Sequence, residues 1–172
     1  MADMTADALA LTGINQQAPI IGANEIEIAA APEVVWEVLA GFERWPSWNP
    51  DVKSMSVQGP IAEGSVFRWK AGPGAITSTI RRVEPPRLIA WTGETFGIKA
   101  IHFWYFEART GRTFVCTEES YDGLVARLFR RPLQETLDRA LADGTRHLKA
   151  EAERRSLGDN GDPLKGASNG LR

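Results

Sequence analysis

His102 and Glu119 are the residues of this chain best suited to moving a proton. Each lies in a segment that alternates apolar and polar residues, so a hairpin between the two segments would set imidazole and carboxyl side by side. A carboxyl in apolar surroundings keeps its proton to higher pH, and a neighbouring imidazole can orient it or share that proton. Such a pair could enolise a ketone or shuttle a proton in an aldol-type cyclisation or dehydration. Tyr121 or Thr117 would then hydrogen-bond the substrate oxygen. Without chemistry, the two groups could simply satisfy each other, or Glu119 could cap nearby backbone. The sequence has no glycine-rich phosphate loop, no nucleophile elbow and no metal-ligand spacing. With two histidines and one cysteine, no zinc cluster is expected, and no other metal or cofactor. Cys116 cannot form an intramolecular disulfide, and nothing nearby would activate it.

Charge parity decides which way the strands face, because a formal charge rarely sits unpaired in a core. Over Ile98 to Arg109 the even positions include His102, Trp104 and Phe106 and carry no permanent charge, whereas Lys99, Glu107 and Arg109 are odd. Even therefore faces inward. Over Arg112 to Asp122 the charges Arg112, Glu118 and Asp122 are even, so Thr113, Val115, Thr117, Glu119 and Tyr121 face inward. A two-residue Thr110-Gly111 turn pairs 109 with 112 and 102 with 119, keeping both inward sets on one face. A three-residue loop would break that agreement unless a bulge restored it. The same argument turns Phe67 and Trp69 inward, and Trp91 is assigned inward with them.

Composition limits the function classes. The chain has 172 residues, a net charge of −2 and a pI near 5.8, which argues against nucleic-acid binding. The longest uncharged stretch, 8–24, is too polar to span a bilayer. Asp3 and Asp7 stand where a signal peptide would carry Lys or Arg, so a reduced, cytoplasmic setting is expected. Six tryptophans beside two tyrosines mark an unusual investment in large aromatic surface.

The elements that must position these groups follow from periodicity. Residues 1–19 read as a flexible leader, 20–155 as one domain and 156–172, rich in glycine, as a disordered tail. A strand at 20–28 precedes an amphipathic helix at 32–42 that starts on Pro32. Pro46 and Pro50 are expected to hold 45–50 in extended or turn geometry. Six alternating segments then follow, at 52–58, 65–70, 75–83, 88–93, 98–108 and 113–121, separated by Gly/Pro turns. None of the gaps can hold a crossover helix, so the sheet is an antiparallel meander. Leu124, Leu128, Phe129, Leu133, Leu137, Leu141 and Leu148 read as one apolar stripe on a long last helix, kinked or restarted at Pro132. The fold class is α+β, a curved antiparallel sheet with helices on one face.

Several of these segments resemble the START-like, helix-grip superfamily, also called SRPBCC or polyketide cyclase/dehydrase and lipid transport. The similar pieces are Ile26-Glu27-Ile28 with Ala30 to Trp36, Phe42 to Pro50, Gly64 to Trp69, Glu84 to Trp91 and Thr117 to Ser120. The resemblance spans roughly 20–155. It implies about seven antiparallel strands wrapped on a long C-terminal helix with a cavity between. The residues that would line it are Phe67, Trp69, Trp91, Trp104, Phe106, Val115, Thr117, Tyr121, Phe129, Leu133 and Leu137.

The resemblance implies a hydrophobic, aromatic or polyketide-like ligand. Either His102 and Glu119 make the chain a cyclase or dehydratase, or they only orient the ligand in a carrier or sensor. A filled core would leave an interaction module instead. The outward Ile101, Phe103, Tyr105 and Phe114 would then form a partner surface, and a homodimer is the partner considered besides the small molecule. Gly72-Pro73-Gly74 reads as a hairpin loop. Arg127, Arg130 and Arg131 read as a solvated face, with an anionic ligand or membrane surface as the second reading.

Overall fold

The computed structural model describes residues 11–159 apart from Pro73, so the first ten residues and most of the expected tail lie outside the described residues. Seven strands form one antiparallel sheet in the order β1-β7-β6-β5-β4-β3-β2. They are β1 (Ile20–Ile28), β2 (Val52–Val57), β3 (Val66–Ala71), β4 (Gly74–Glu84), β5 (Leu88–Thr95), β6 (Ile98–Arg109) and β7 (Arg112–Asp122). Four helices accompany them: α1 (Pro32–Ala40), α2 (Trp45–Trp48), α3 (Leu124–Leu128) and α4 (Arg130–Asp159). This is the α+β helix-grip architecture. Among the described residues no helix is long and apolar enough to cross a membrane.

The β6–β7 hairpin turns on Thr110-Gly111, with Gly111 at φ +69°, the left-handed geometry that favours glycine. Arg109 pairs with Arg112, Phe106 with Val115, Trp104 with Thr117 and His102 with Glu119. The two-residue turn and its register are those that charge parity requires.

Helix α4 lies against edge strand β1, and Gly22 sets how closely. A Cβ on Gly22 would stand 3.0 Å from both Leu137 Cγ and Leu141 Cδ1. Three polar contacts fix the helix along the strand. Gln134 Nε2 donates to the Ile21 carbonyl at 2.9 Å, Thr145 Oγ1 bonds the Asn24 side chain at 2.8 Å, and Lys149 Nζ donates to the Glu27 carbonyl at 2.6 Å. At the other end of the core, α1 buries Val35, Val38 and Leu39 and sets Trp36 edge-on to Phe106, ring centroids 6.0 Å apart.

Four expectations need correction. The Trp45-to-Pro50 segment opens with a helical turn, α2, because Pro46 falls in a first turn, where its missing N–H costs no hydrogen bond. Trp45 also donates from Nε1 to the Leu39 carbonyl at 2.7 Å, satisfying an acceptor that the end of α1 leaves free. The last apolar stripe is not continuous. The chain breaks at Phe129 (φ −112°, ψ 37°), and Leu124, Leu128 and Phe129 are turned out to solvent. Helix α4 runs on to Asp159, past the expected boundary at 155.

The fourth correction concerns the leader. Its described part is not loose, because Ile14 is 8% exposed and joins Leu88, Ala90 and Phe103 on the sheet face opposite α4. The Asn15 amide N–H donates to Ser120 Oγ at 3.1 Å, tying the segment to β7. Phe103, one of four outward residues expected to offer a partner surface, is fully buried beneath it. Ile14→Ala should therefore lower unfolding free energy by about 2 kcal/mol in urea titration. An unchanged midpoint would mean that the segment contributes nothing to the fold.

Candidate functional site

Cross-strand partners form rows over the concave face. One row reads Gly22, Glu119, His102, Trp91 and Ile80, and the next reads Ile20, Tyr121, Ala100, Gly93 and Ser78. Aromatic and acid–base groups thus sit beside a line of small residues, Ala100, Gly93 and Ser78. Gly93 marks a close approach, since a Cβ there would stand 3.1 Å from Ser78 Oγ, to which Trp69 Nε1 donates at 3.1 Å. Ala100 is the half-buried member of that line.

His102 Nδ1 lies 3.4 Å from Glu119 Oε2. On the other side of the ring, Nε2 is 2.8 Å from Thr117 Oγ1, which in turn donates to the Phe103 carbonyl at 3.1 Å. With the one proton of the Thr117 hydroxyl given to that carbonyl, its only possible role there, His102 donates from Nε2. Nδ1 is then the bare, accepting nitrogen, and it faces the carboxyl. Burial pushes the Glu119 carboxyl up to about 8 and the His102 imidazole down to about 3. Near neutral pH the pair is therefore an uncharged acid beside an uncharged base. Burial, with the Glu119 carboxyl next, also raises the Tyr121 phenol.

The expected lining residues divide into two groups. Phe67, Val115, Thr117 and Leu137 are fully enclosed and border no space. Trp91 packs with Phe67, Phe42 and Trp45 at centroid distances of 5.7 to 5.9 Å, so this end of the interior is solid. Phe106 lies in the same cluster beneath Trp36. Phe129 points away from the interior altogether. The other side is less tightly closed. The side chains of His102 and Glu119 keep 10% and 12% of their surface accessible, and Trp69, Tyr121 and Leu133 are half-buried. The Trp104 indole N–H, 5.4 Å between ring centroids from His102, is buried without a hydrogen-bond partner.

Helix α4 contributes a further opening. Gly144 stands three residues after buried Leu141 and four before buried Leu148, on the flank of the inward face. A Cβ there would meet nothing within 4 Å. Glycine inside a helix costs about 1 kcal/mol relative to alanine, and here it leaves space where a side chain would otherwise stand. Ala100 and Gly144 were not expected beside the site, although small residues at inward positions are a signal that the sequence carries. A separate groove of about 430 Å³ lies between the end of α1 and the β2–β3 connection, lined by Phe42, Glu43, Arg44, Val57 and Ile61 among others. It includes none of the expected site residues. Among the described residues no cluster of three or more His, Cys, Asp or Glu could hold a metal ion.

The family described as "Polyketide cyclase / dehydrase and lipid transport" matches residues 21–153, nearly the whole sheet and most of α4. The chain belongs to this family. Among solved structures it is similar to a hypothetical protein from Helicobacter pylori, with a TM-score of 0.72 and 15% identity over 83% of this chain and 97% of that one. It is also similar to the Zhui aromatase/cyclase from Streptomyces sp. R1128 (TM-score 0.69, 19% identity, 78% and 94% covered). A START superfamily protein from Mycobacterium smegmatis is a third (0.61, 15%, 80% and 97%). At these identities the likeness is one of fold. No curated protein matches the chain. Family membership agrees with the resemblance in the β1–α1, α2 and β3 segments, and the family's members need not share a reaction.

The neutral pair makes stability pH-dependent. Between about 3 and 6.5 an unfolded His102 binds a proton that the folded one lacks, so stability rises with pH. Between about 4.5 and 8 the folded Glu119 keeps a proton that the unfolded one has lost, so stability falls with pH. The slopes oppose each other from 4.5 to 6.5, leaving a net fall from 6.5 to 8. Urea midpoints at pH 6 and pH 8 should show this fall in the wild type and a smaller one in Glu119→Gln. Equal falls in both would mean that Glu119 is ionised at pH 6.

Proposed function

We propose that this chain encloses a flat, largely apolar molecule bearing a carbonyl or hydroxyl oxygen, of aromatic or polyketide-like type, between the sheet and α4. The observation that carries this reading is the uncharged Glu119–His102 pair, partly accessible on an otherwise aromatic wall. A neutral carboxyl in a dry site is a hydrogen-bond donor aimed at an acceptor oxygen, and it repels no apolar ligand. Trp69, Trp104, Tyr121 and Leu133 supply surface for the rings, and the gap at Gly144 supplies room.

The same pair supports cyclase/dehydratase chemistry. For a β-hydroxyketone, bare His102 Nδ1 accepts the proton α to the carbonyl while Glu119 protonates the departing hydroxyl. Water and an enone leave, and the imidazolium returns its proton to the carboxylate across the 3.4 Å contact. Burial disfavours both charged forms, so the two transfers must be concerted. A carrier is the second reading. One observation favours it: both His102 nitrogens are already engaged, by Thr117 and by Glu119.

Native mass spectrometry of protein purified from its own host should reveal a retained neutral, oxygen-bearing ligand. Gly144→Trp should exclude that ligand without unfolding the helix, and retention at the wild-type level would place the ligand elsewhere. With the identified compound, Glu119→Gln should lower turnover by about 100-fold or more while leaving affinity nearly unchanged. Binding without turnover in the wild type would establish the carrier.

A further inference from the structure

Among the described residues, four of the five large apolar side chains exposed to solvent gather at one end of the sheet, the fifth being Leu157 near the end of α4. Leu124 is 71% exposed, Leu128 68%, Phe129 56% and Phe96 69%. The first two lie four residues apart on one face of α3, whose opposite face buries Ala126. Phe96 belongs to the β5–β6 turn, and backbone contact joins that turn to α3. Gly123 sits so close to the Gly97 carbonyl that no side chain fits, and Gly97 also approaches the Val125 methyl. Phe96 adopts φ +47°, a conformation that Gly, Asn or Asp would hold with less strain, yet a bulky aromatic stands there with its ring largely in solvent. Leu124, Leu128 and Phe129 were expected to continue the core stripe. The break before α4 turns them outward instead.

Charge around this tip differs in sign from the chain as a whole. Lys70, Lys99, Arg127, Arg130 and Arg131 stand against Glu94, Asp122 and Glu135, a positive excess in a chain of net charge −2. Arg127 is partly neutralised by Asp122 at 3.4 Å. Arg130 and Arg131, both exposed, directly follow Phe129. Apolar side chains flanked by arginines suit a surface that is apolar within and anionic at its boundary.

We propose that this tip docks on an anionic lipid bilayer, with Phe96, Leu124, Leu128 and Phe129 entering the headgroup boundary and Arg130 and Arg131 contacting lipid phosphates. An acidic protein would match the arginines, but it would not call for four protruding apolar side chains spread over a helix and a turn. The tip also adjoins the end of the concave face where Ile98, Ala100 and Tyr121 are only half-buried. On the ligand reading proposed above, apolar cargo would pass between the protein and the bilayer there.

Sedimentation with extruded vesicles tests the docking, and native mass spectrometry of the same preparation scores ligand retention separately. The full chain should pellet with vesicles of phosphatidylcholine containing a third phosphatidylglycerol, and weakly with phosphatidylcholine alone. Arg130→Glu/Arg131→Glu should weaken binding by about tenfold or more. Leu128→Ser/Phe129→Ser should abolish binding that survives high salt, with an unchanged thermal melt because both residues are exposed. Failure to pellet with anionic vesicles would overturn the proposal, as would binding that neither double variant alters. A concentration-dependent dimer lost in Leu128→Ser/Phe129→Ser would also overturn it, by making the face a self-interface. A vesicle-binding protein that retains no ligand would leave the docking standing and count against the ligand reading alone.

Discussion

The two-residue connection between Arg109 and Arg112 governs the register of the sheet's two longest neighbouring strands. A side chain's face alternates along a strand, so one residue more in that turn would move one strand's inward set to the opposite face. His102 would then lie beside an outward residue, and Glu119 would be stranded on the other side of the sheet. Gly111, at positive φ, allows the tight turn that prevents this. The proton-bearing pair therefore depends on a turn seven positions away from either of its members along the strands.

The second constraint is the approach of α4 to β1. Because Gly22 has no side chain, Leu137 and Leu141 come down onto the edge strand, and the helix is held over one side of the concave face. The space across the rest of the sheet must be filled by other means. At the α1 end it is filled by Trp36, Phe42, Trp45, Phe67 and Trp91, an edge-to-face aromatic cluster with little surface left over. At the α3 end the inward positions are Ala100, Gly93 and Ser78, and α4 offers Gly144. The excess of tryptophan thus serves mainly to make one half of the interior solid, and in the other half Ala100 and Gly144 leave the packing less tight.

This division explains what could be read from the sequence. Strand positions, the β6–β7 register and the His102–Glu119 contact were legible because they rest on period-two alternation and on the cost of burying charge. Both are local and strong. The lining was only partly legible, since parity says that Phe67, Val115 and Thr117 face inward but not whether anything empty lies beside them. The outward turn of Leu124, Leu128 and Phe129 was hidden because their spacing matches that of the buried leucines. Only the backbone break at Phe129 separates them, and Pro132 marks its neighbourhood without giving its direction. Ile14 escaped notice for another reason, because a segment that packs through one or two side chains shows no period.

The environment of Glu119 links these features to chemistry. It pairs with Gly22 on one side and His102 on the other, so it stands in the same row as the residue that admits α4. Burial removes the water that would otherwise stabilise a carboxylate, which raises its pKa. The same loss of water keeps the imidazole neutral. No cation from the inward set offsets either effect: the arginines and lysines of β6 and β7 are all of outward parity, with Arg109 and Arg112 paired to Glu27. The charge parity that sets the strand faces therefore also determines the protonation state of the site. An inward cation would return Glu119 to the ordinary carboxylate range and exchange a hydrogen-bond donor for an acceptor.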